Sequence, residues 1–173
     1  MMYQDKTIRI AGIIEESIVD GPGFRFVVFT QGCKRQCKGC HNEETWDLDG
    51  GSVVRVEDVL KQIDENPLLD GITLSGGEPF LQPEACYELA SKAKERGLSI
   101  MVYSGFTYEE LVSGVDEREE VNEARRKLLS VADILVDGPF VLEKRSLSLL
   151  FRGSTNQRLL YLRDSKIVSE SEK

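Results

Sequence analysis

GITLSGGEPFLQPEACYELASKAKERGLSIMVYS, residues 71–104, holds one complete strand–helix–strand unit. GITLS (71–75) is a short run of the buried-strand type, and the loop Gly76-Gly77-Glu78-Pro79 follows it. PEACYELASKAKERG (83–97) reads as a helix, with Pro83 in its first turn and Gly97 just past its end, the asymmetry helices favour. LSIMVYS (98–104) is the second strand. Strands joined by a helical crossover lie parallel, so this stretch predicts a parallel sheet.

The pattern continues on both sides. TIRIAGII (7–14) and FRFVVFT (24–30) are strands separated by the turn DGPG (20–23), and VRVEDVLKQIDEN (54–66) places Val56, Val59, Leu60 and Ile63 at helical spacing. Helical stretches at 107–113 and 118–131 precede a strand at DILVDG (133–138), and RLLYLR (158–163) is the last strand. The fold class is α/β: a partial, open (βα) barrel of about five to six mostly parallel strands, too few to close an eight-stranded barrel. One domain is expected over residues 1–173, with 164–173 a flexible tail. In such sheets function gathers at the C-terminal ends of the strands, where the loops after 30, 75 and 136 sit.

Composition narrows the classes. A net charge of −8 argues against a general nucleic-acid binder. No apolar run approaches a membrane span, and the N-terminus lacks the pattern of a signal peptide, so a cytoplasmic setting is the expectation. Of four cysteines, three are clustered, which points to metal or redox chemistry and not to a disulfide framework.

Those three, Cys33, Cys37 and Cys40, stand as Cys-x3-Cys-x2-Cys in GCKRQCKGCHN. Three thiolates can hold an iron–sulfur cluster and leave one iron without a protein ligand, and an open position is the mark of a catalytic metal site. A structural zinc site would need a fourth ligand. His41 is adjacent to Cys40 and would strain the loop, whereas Cys86 lies mid-helix in ACYELA and reads as a buried small hydrophobe. Lys34, Arg35 and Lys38 either stabilise an anionic cluster or form a solvated loop face. In the Ser75-Gly76-Gly77-Glu78 loop two glycines bare the backbone to a close-approaching ligand, and Glu78 can pair with an ammonium group. Trp46 reads as a packing lid over the cysteine loop.

GCKRQCKGC together with SGGEP resembles the radical S-adenosylmethionine (SAM) superfamily. The resemblance implies a [4Fe-4S] cluster on Cys33, Cys37 and Cys40, with SAM on the open iron and its amino group bound by Ser75, Gly76, Gly77 and Glu78. DGPGFRFVVFTQGC, CHNEETWD, DGPF and RGSTNQR are, more narrowly, similar to the activating proteins of anaerobic ribonucleotide reductases, over roughly residues 8–162. Pyruvate formate-lyase activating enzymes share DGPG and CHN and are commonly longer. Gly39 stands where the superfamily often has an aromatic residue, and Lys34 and Lys38 where relatives frequently have proline. What the resemblance implies is an activase that cleaves SAM reductively and generates a glycyl radical on the reductase, with reduced flavodoxin as electron donor. It also implies a place for Asp137 near the SAM ribose or carboxylate, although that residue equally ends a strand and opens a turn. Asp20, Gly21, Pro22 and Gly23 are candidates to meet the partner's glycine loop, and Arg152, Asn156 and Arg158 to contact SAM or the partner. Activation of another glycyl radical enzyme, or a non-catalytic iron–sulfur or zinc module, are the competing readings.

Overall fold

The computed structural model describes residues 6–40 and 43–171. All of its strands join one open sheet in the order β3-β1-β2-β4-β5-β6-β7-β8. They are β1 (Thr7–Ser17), β2 (Arg25–Thr30), β3 (Ser52–Arg55), β4 (Gly71–Gly76), β5 (Ser99–Tyr103), β6 (Ile134–Asp137), β7 (Arg158–Arg163) and β8 (Lys166–Ser171). The helices are α1 (Val56–Asp64), α2 (Pro83–Glu95), α3 (Tyr108–Ser113) and α4 (Glu119–Val131). The four central strands β2, β4, β5 and β6 are parallel neighbours, each pair joined by a helical crossover. The outer strands pair antiparallel on both flanks.

The expected α/β open sheet therefore stands, with eight strands in place of five to six. The two additions are edge strands. β3 occupies the start of the stretch read as helix, because Val53 and Val54 take their backbone partners from β1. Over residues 164–171 β8 and its turn stand where a tail was expected at 164–173: Asp164 and Ser165 both take positive φ and turn the chain back on β7 as a tight hairpin. The Tyr108 hydroxyl donates to the Ser165 carbonyl at 2.6 Å and pins that turn to α3.

The two faces of the sheet differ, as the alternation of strand side chains requires. Phe26, Val28, Ile72, Leu74, Ile100, Val102, Leu135 and Leu160 face the helices and form the main core. α1 contributes Val56, Val59, Leu60 and Ile63 to it, and α2 contributes Cys86, Leu89, Ala90 and Ala93. Met101, Ile134, Val136 and Leu159 form a smaller cluster on the other face, with Tyr103 and Phe151 packed against it. At the N-terminal ends of the parallel strands Arg25 is wholly buried on that second face. Its guanidinium donates to Thr73 Oγ1 (2.8 Å), Ser99 Oγ (2.8 Å) and the Ile72 carbonyl (2.7 Å), and so closes the lower end of the sheet. The upper end stays open. Among the described residues no helix is long and apolar enough to cross a membrane.

Candidate functional site

The cysteine loop leaves the C-terminal end of β2. Gly32 N–H donates to the Thr45 carbonyl (2.6 Å) and Cys33 N–H to the Trp46 carbonyl (3.2 Å), so the returning segment fastens the loop at its base. Cys40 N–H donates to the Cys37 carbonyl at 3.0 Å, which closes a tight turn between the last two cysteines. A Cβ on Gly39 would stand 2.7 Å from Leu142 Cδ1, so the loop after β6 occupies the room that an aromatic side chain would need there.

One βα unit on, β4 ends beside β2. Gly77 N–H donates to the Thr30 carbonyl and Glu78 N–H to the Gly32 carbonyl, both at 2.8 Å, which carries the pairing past the sheet and into the two loops. Gly76 has φ +91°, and a Cβ on Gly77 would lie 2.3 Å from the Gly32 carbonyl oxygen. Only glycines fit this contact.

Glu78 is 3% exposed. Its carboxylate accepts from Gly105 N–H (2.7 Å), Ser104 Oγ (2.9 Å) and Phe80 N–H (3.2 Å). A carboxylate has about four acceptor sites, so one is left for an ammonium while the protein fixes the group's orientation. Burial pushes the Glu78 carboxyl above the usual carboxylate range, against the pull of those three donors and of Arg35.

These pieces meet in one cavity of about 450 Å³ at the C-terminal ends of the parallel strands. Cys33, Cys37 and Cys40 line it together with Ser75, Gly76, Gly77 and Glu78, and Phe29, Tyr103 and Phe151 give it an apolar wall. Its size falls within the range of small-ligand sites. All three cysteines are half-buried, and none of them is in a disulfide. Burial raises the Cys33 thiol, backbone N–H groups of Gln36 and Arg35 oppose the shift, and the charges of Glu78 and Cys37 add to it.

The donor set fits a cluster. Three cysteine thiols lining one cavity are a donor set of the iron–sulfur type. Cys86 is fully buried in α2 and does not line the cavity, and His41 lies outside the described residues. Two buried donors on the cavity lining, Trp46 Nε1 and Arg152 Nη2, have no protein partner, as expected of a site built to receive a polar ligand. Trp46, expected as a packing lid, thus also presents a donor.

Other residues fall elsewhere. Asp137 is 1% exposed and is not on the cavity lining. By strand alternation Val136 takes the cavity side and Asp137 the helix side, where its carboxylate accepts from Tyr108 N–H (2.7 Å) and Arg158 Nε (3.0 Å). Those partners make it part of the framework that joins β6, β7 and α3. Arg158 is committed to Asp137 and Glu109, and Asn156 Nδ2 donates to the Pro139 carbonyl at 2.8 Å. Asp20 and Arg152 do reach the cavity lining. The apolar wall of Phe29, Tyr103 and Phe151 went unforeseen because Phe151 follows the last helix-linked strand in an irregular loop, with φ +58° and its carbonyl held by the Tyr103 hydroxyl at 2.8 Å.

Comparison with known proteins bears on this arrangement. Residues 19–160 match the family described as "4Fe-4S single cluster domain". The anaerobic ribonucleoside-triphosphate reductase-activating protein of Escherichia coli (strain K12) is 33% identical over 155 residues, covering 84% of this chain and 94% of its own. The corresponding protein of Haemophilus influenzae is 33% identical over 150 residues, 81% of this chain and 89% of its own. The pyruvate formate-lyase-activating enzyme of Clostridium pasteurianum is 39% identical over 117 residues, 62% of this chain, and the match spans about half (49%) of that relative's length. Among solved structures, QueE from Escherichia coli superimposes with a TM-score of 0.46 and 18% identity over 58% of this chain and 53% of its own, a likeness too slight to argue from.

Proposed function

The chain belongs to the 4Fe-4S single cluster domain family, among the radical SAM activating proteins, and on that premise we propose that it generates a glycyl radical on anaerobic ribonucleotide reductase. The observation that carries the reading is the convergence of Cys33, Cys37 and Cys40 with the Gly76-Gly77-Glu78 loop on one cavity.

Cys33, Cys37 and Cys40 hold the [4Fe-4S] cluster. When bound, the cluster supplies the electron for reductive cleavage of SAM, the chemistry that ends in a glycyl radical on the partner. Everything else is the work of the chain's own residues. Ser75, Gly76 and Gly77 offer backbone to the aminoacyl end of SAM, and the fixed Glu78 carboxylate offers its remaining acceptor site to the ammonium. Phe29, Tyr103 and Phe151 keep water from the ligand; the Tyr103 hydroxyl, its pKa raised by burial, stays protonated and bonded to Phe151. Asp20 and Val19 stand at the cavity edge, where the partner's glycine segment would enter.

A glycyl radical enzyme is the partner class; the reductase is favoured because the match to its activators covers 94% of the E. coli protein, against 49% of the C. pasteurianum formate-lyase activator. Reduced flavodoxin as donor and a cytoplasmic setting belong to the same proposal.

The test is electron paramagnetic resonance on anaerobically reconstituted, reduced protein with and without SAM. A [4Fe-4S]+ signal that changes on adding SAM is expected, and a glycyl radical on purified reductase but not on formate-lyase. A protein that takes up zinc and no iron would sink the proposal, and a radical on formate-lyase alone would move it to that partner.

A further inference from the structure

Arg35 lies inside the cysteine loop, between Cys33 and Cys37, and its side chain does not run out into solvent: it is 31% exposed. Its stem crosses the loop after β5, where a Cβ on Gly105 would stand 2.4 Å from Arg35 Cδ. Beyond that point the guanidinium sits 4.9 Å from the centroid of the Phe106 ring, with Glu110 at 3.8 Å. The same ring receives a second guanidinium, that of Arg125 on α4, at 4.7 Å. Arg125 is 7% exposed and is itself anchored, Nε donating to the Phe80 carbonyl at 3.0 Å. The cysteine loop is thereby bolted through an aromatic ring to α4.

The placement has a second aspect. Behind the loop lies a smaller cavity of about 210 Å³, lined by Phe106 and Arg125 among others. Cys33, Arg35 and Glu78 line both this cavity and the ligand cavity, so these three side chains are the partition between them. Cys33 is a cluster ligand and Glu78 is held by its three donors, which leaves Arg35 as the removable part of the wall.

Resting on the cluster reading above, we propose that Arg35 is a positioning residue that fixes the Cys33–Cys37 segment and closes the rear approach to the cluster. Its planar face and its length both matter: the face stacks on Phe106 and the stem fills the space over Gly105. Arg35→Ala removes both, Arg35→Lys keeps stem and charge without the planar stack, and Gly105→Ala displaces the stem while leaving Arg35 in the sequence.

The experiment compares wild type, Arg35→Ala, Arg35→Lys and Gly105→Ala after anaerobic reconstitution, by iron per chain and by the rate of iron release to a ferrous chelator without SAM. Release faster by roughly three- to tenfold is expected for Arg35→Ala and Gly105→Ala, with Arg35→Lys in between. Should Arg35→Ala fail to fold, Gly105→Ala and Arg35→Lys decide alone. Wild-type release rates from fully loaded variants would overturn the role of Arg35. A wild type that loads no iron would instead overturn the cluster reading itself, so the two failures are told apart.

Discussion

Asp137 and Arg158 stand directly opposite each other across the antiparallel β6–β7 pair, and the Asp137 carboxylate accepts both from Arg158 Nε, at 3.0 Å, and from Arg158 Nη2. The same carboxylate takes Tyr108 N–H at the first turn of α3. One buried group thus joins a strand pair to a helix start. Asp137→Asn leaves the guanidinium half-paired and should cost about 2–4 kcal/mol, toward the lower end because Arg158 is partly exposed. A matching fall in denaturant midpoint is expected with iron content unchanged after reconstitution. Loss of iron with unchanged stability would assign Asp137 to the site.

Glu78 gives a pH dependence with a definite sign. Its folded carboxyl titrates above the ordinary carboxylate range, because burial outweighs its donors. In the window between the unfolded and folded values the native state binds more protons, so this group's contribution falls as pH rises through that window. Melting temperatures of wild type and Glu78→Gln across mildly acid to neutral pH should differ in slope, the wild type alone carrying the downward trend. Glu78→Gln should also be less stable at neutral pH by about 1–3 kcal/mol, since an amide NH₂ would meet donors where the carboxylate accepts.

Gly77→Ala would drive a methyl group to 2.3 Å from the Gly32 carbonyl oxygen, a backbone atom that cannot swing aside. The β4 loop must then move off the cysteine loop. Cluster loading should survive, because the thiols are untouched, whereas the SAM-induced change in the paramagnetic signal should be lost or weakened at least tenfold in SAM concentration, about 1.4 kcal/mol or more.

Cys33→Ala, Cys37→Ala and Cys40→Ala should each abolish SAM cleavage and lower iron content sharply. Cys86→Ala is the contrasting case: the thiol is fully buried in α2, and burial holds it protonated well above the usual thiol range. That variant should load iron as wild type does and lose on the order of 1 kcal/mol from the small cavity left behind. Iron analysis and thermal melts on the four proteins separate ligand from packing residue.

The only tryptophan, Trp46, lines the ligand cavity with its indole Nε1 buried and without a protein partner. Tryptophan emission should therefore fall on cluster loading and change again on adding SAM. Emission indifferent to both would place the ligand away from Trp46.

Much of this arrangement was legible before the structure. The alternation of apolar strands with helices such as 83–97 marks a parallel open sheet, because only buried parallel strands read as continuous apolar runs linked by amphipathic helices. β3 and β8 were not legible: edge strands bury little, and four of the six residues of β8 are polar, so its pairing shows only in the Asp164–Ser165 turn. The partners of Asp137 were not legible, because proximity in sequence to a functional loop does not fix which face of the sheet a side chain takes. Arg35 was readable as one of three basic residues in the loop, but not as the one that stacks.

By itself the sequence determined the chemistry. Thiol spacing and a glycine pair before a glutamate are local features, fixed within a few residues of chain, and they carry the cluster, the ligand loop and the family. Only the tertiary structure decided how those local pieces are held: that β2 and β4 pair in register to their last residues and so bring the two loops together, that Glu78 is oriented by Ser104 and Gly105 of the loop after β5, and that Arg35 reaches Phe106 and, through that ring, Arg125. Such contacts join residues tens of positions apart, and their geometry follows from register and packing, which no local pattern of residues records.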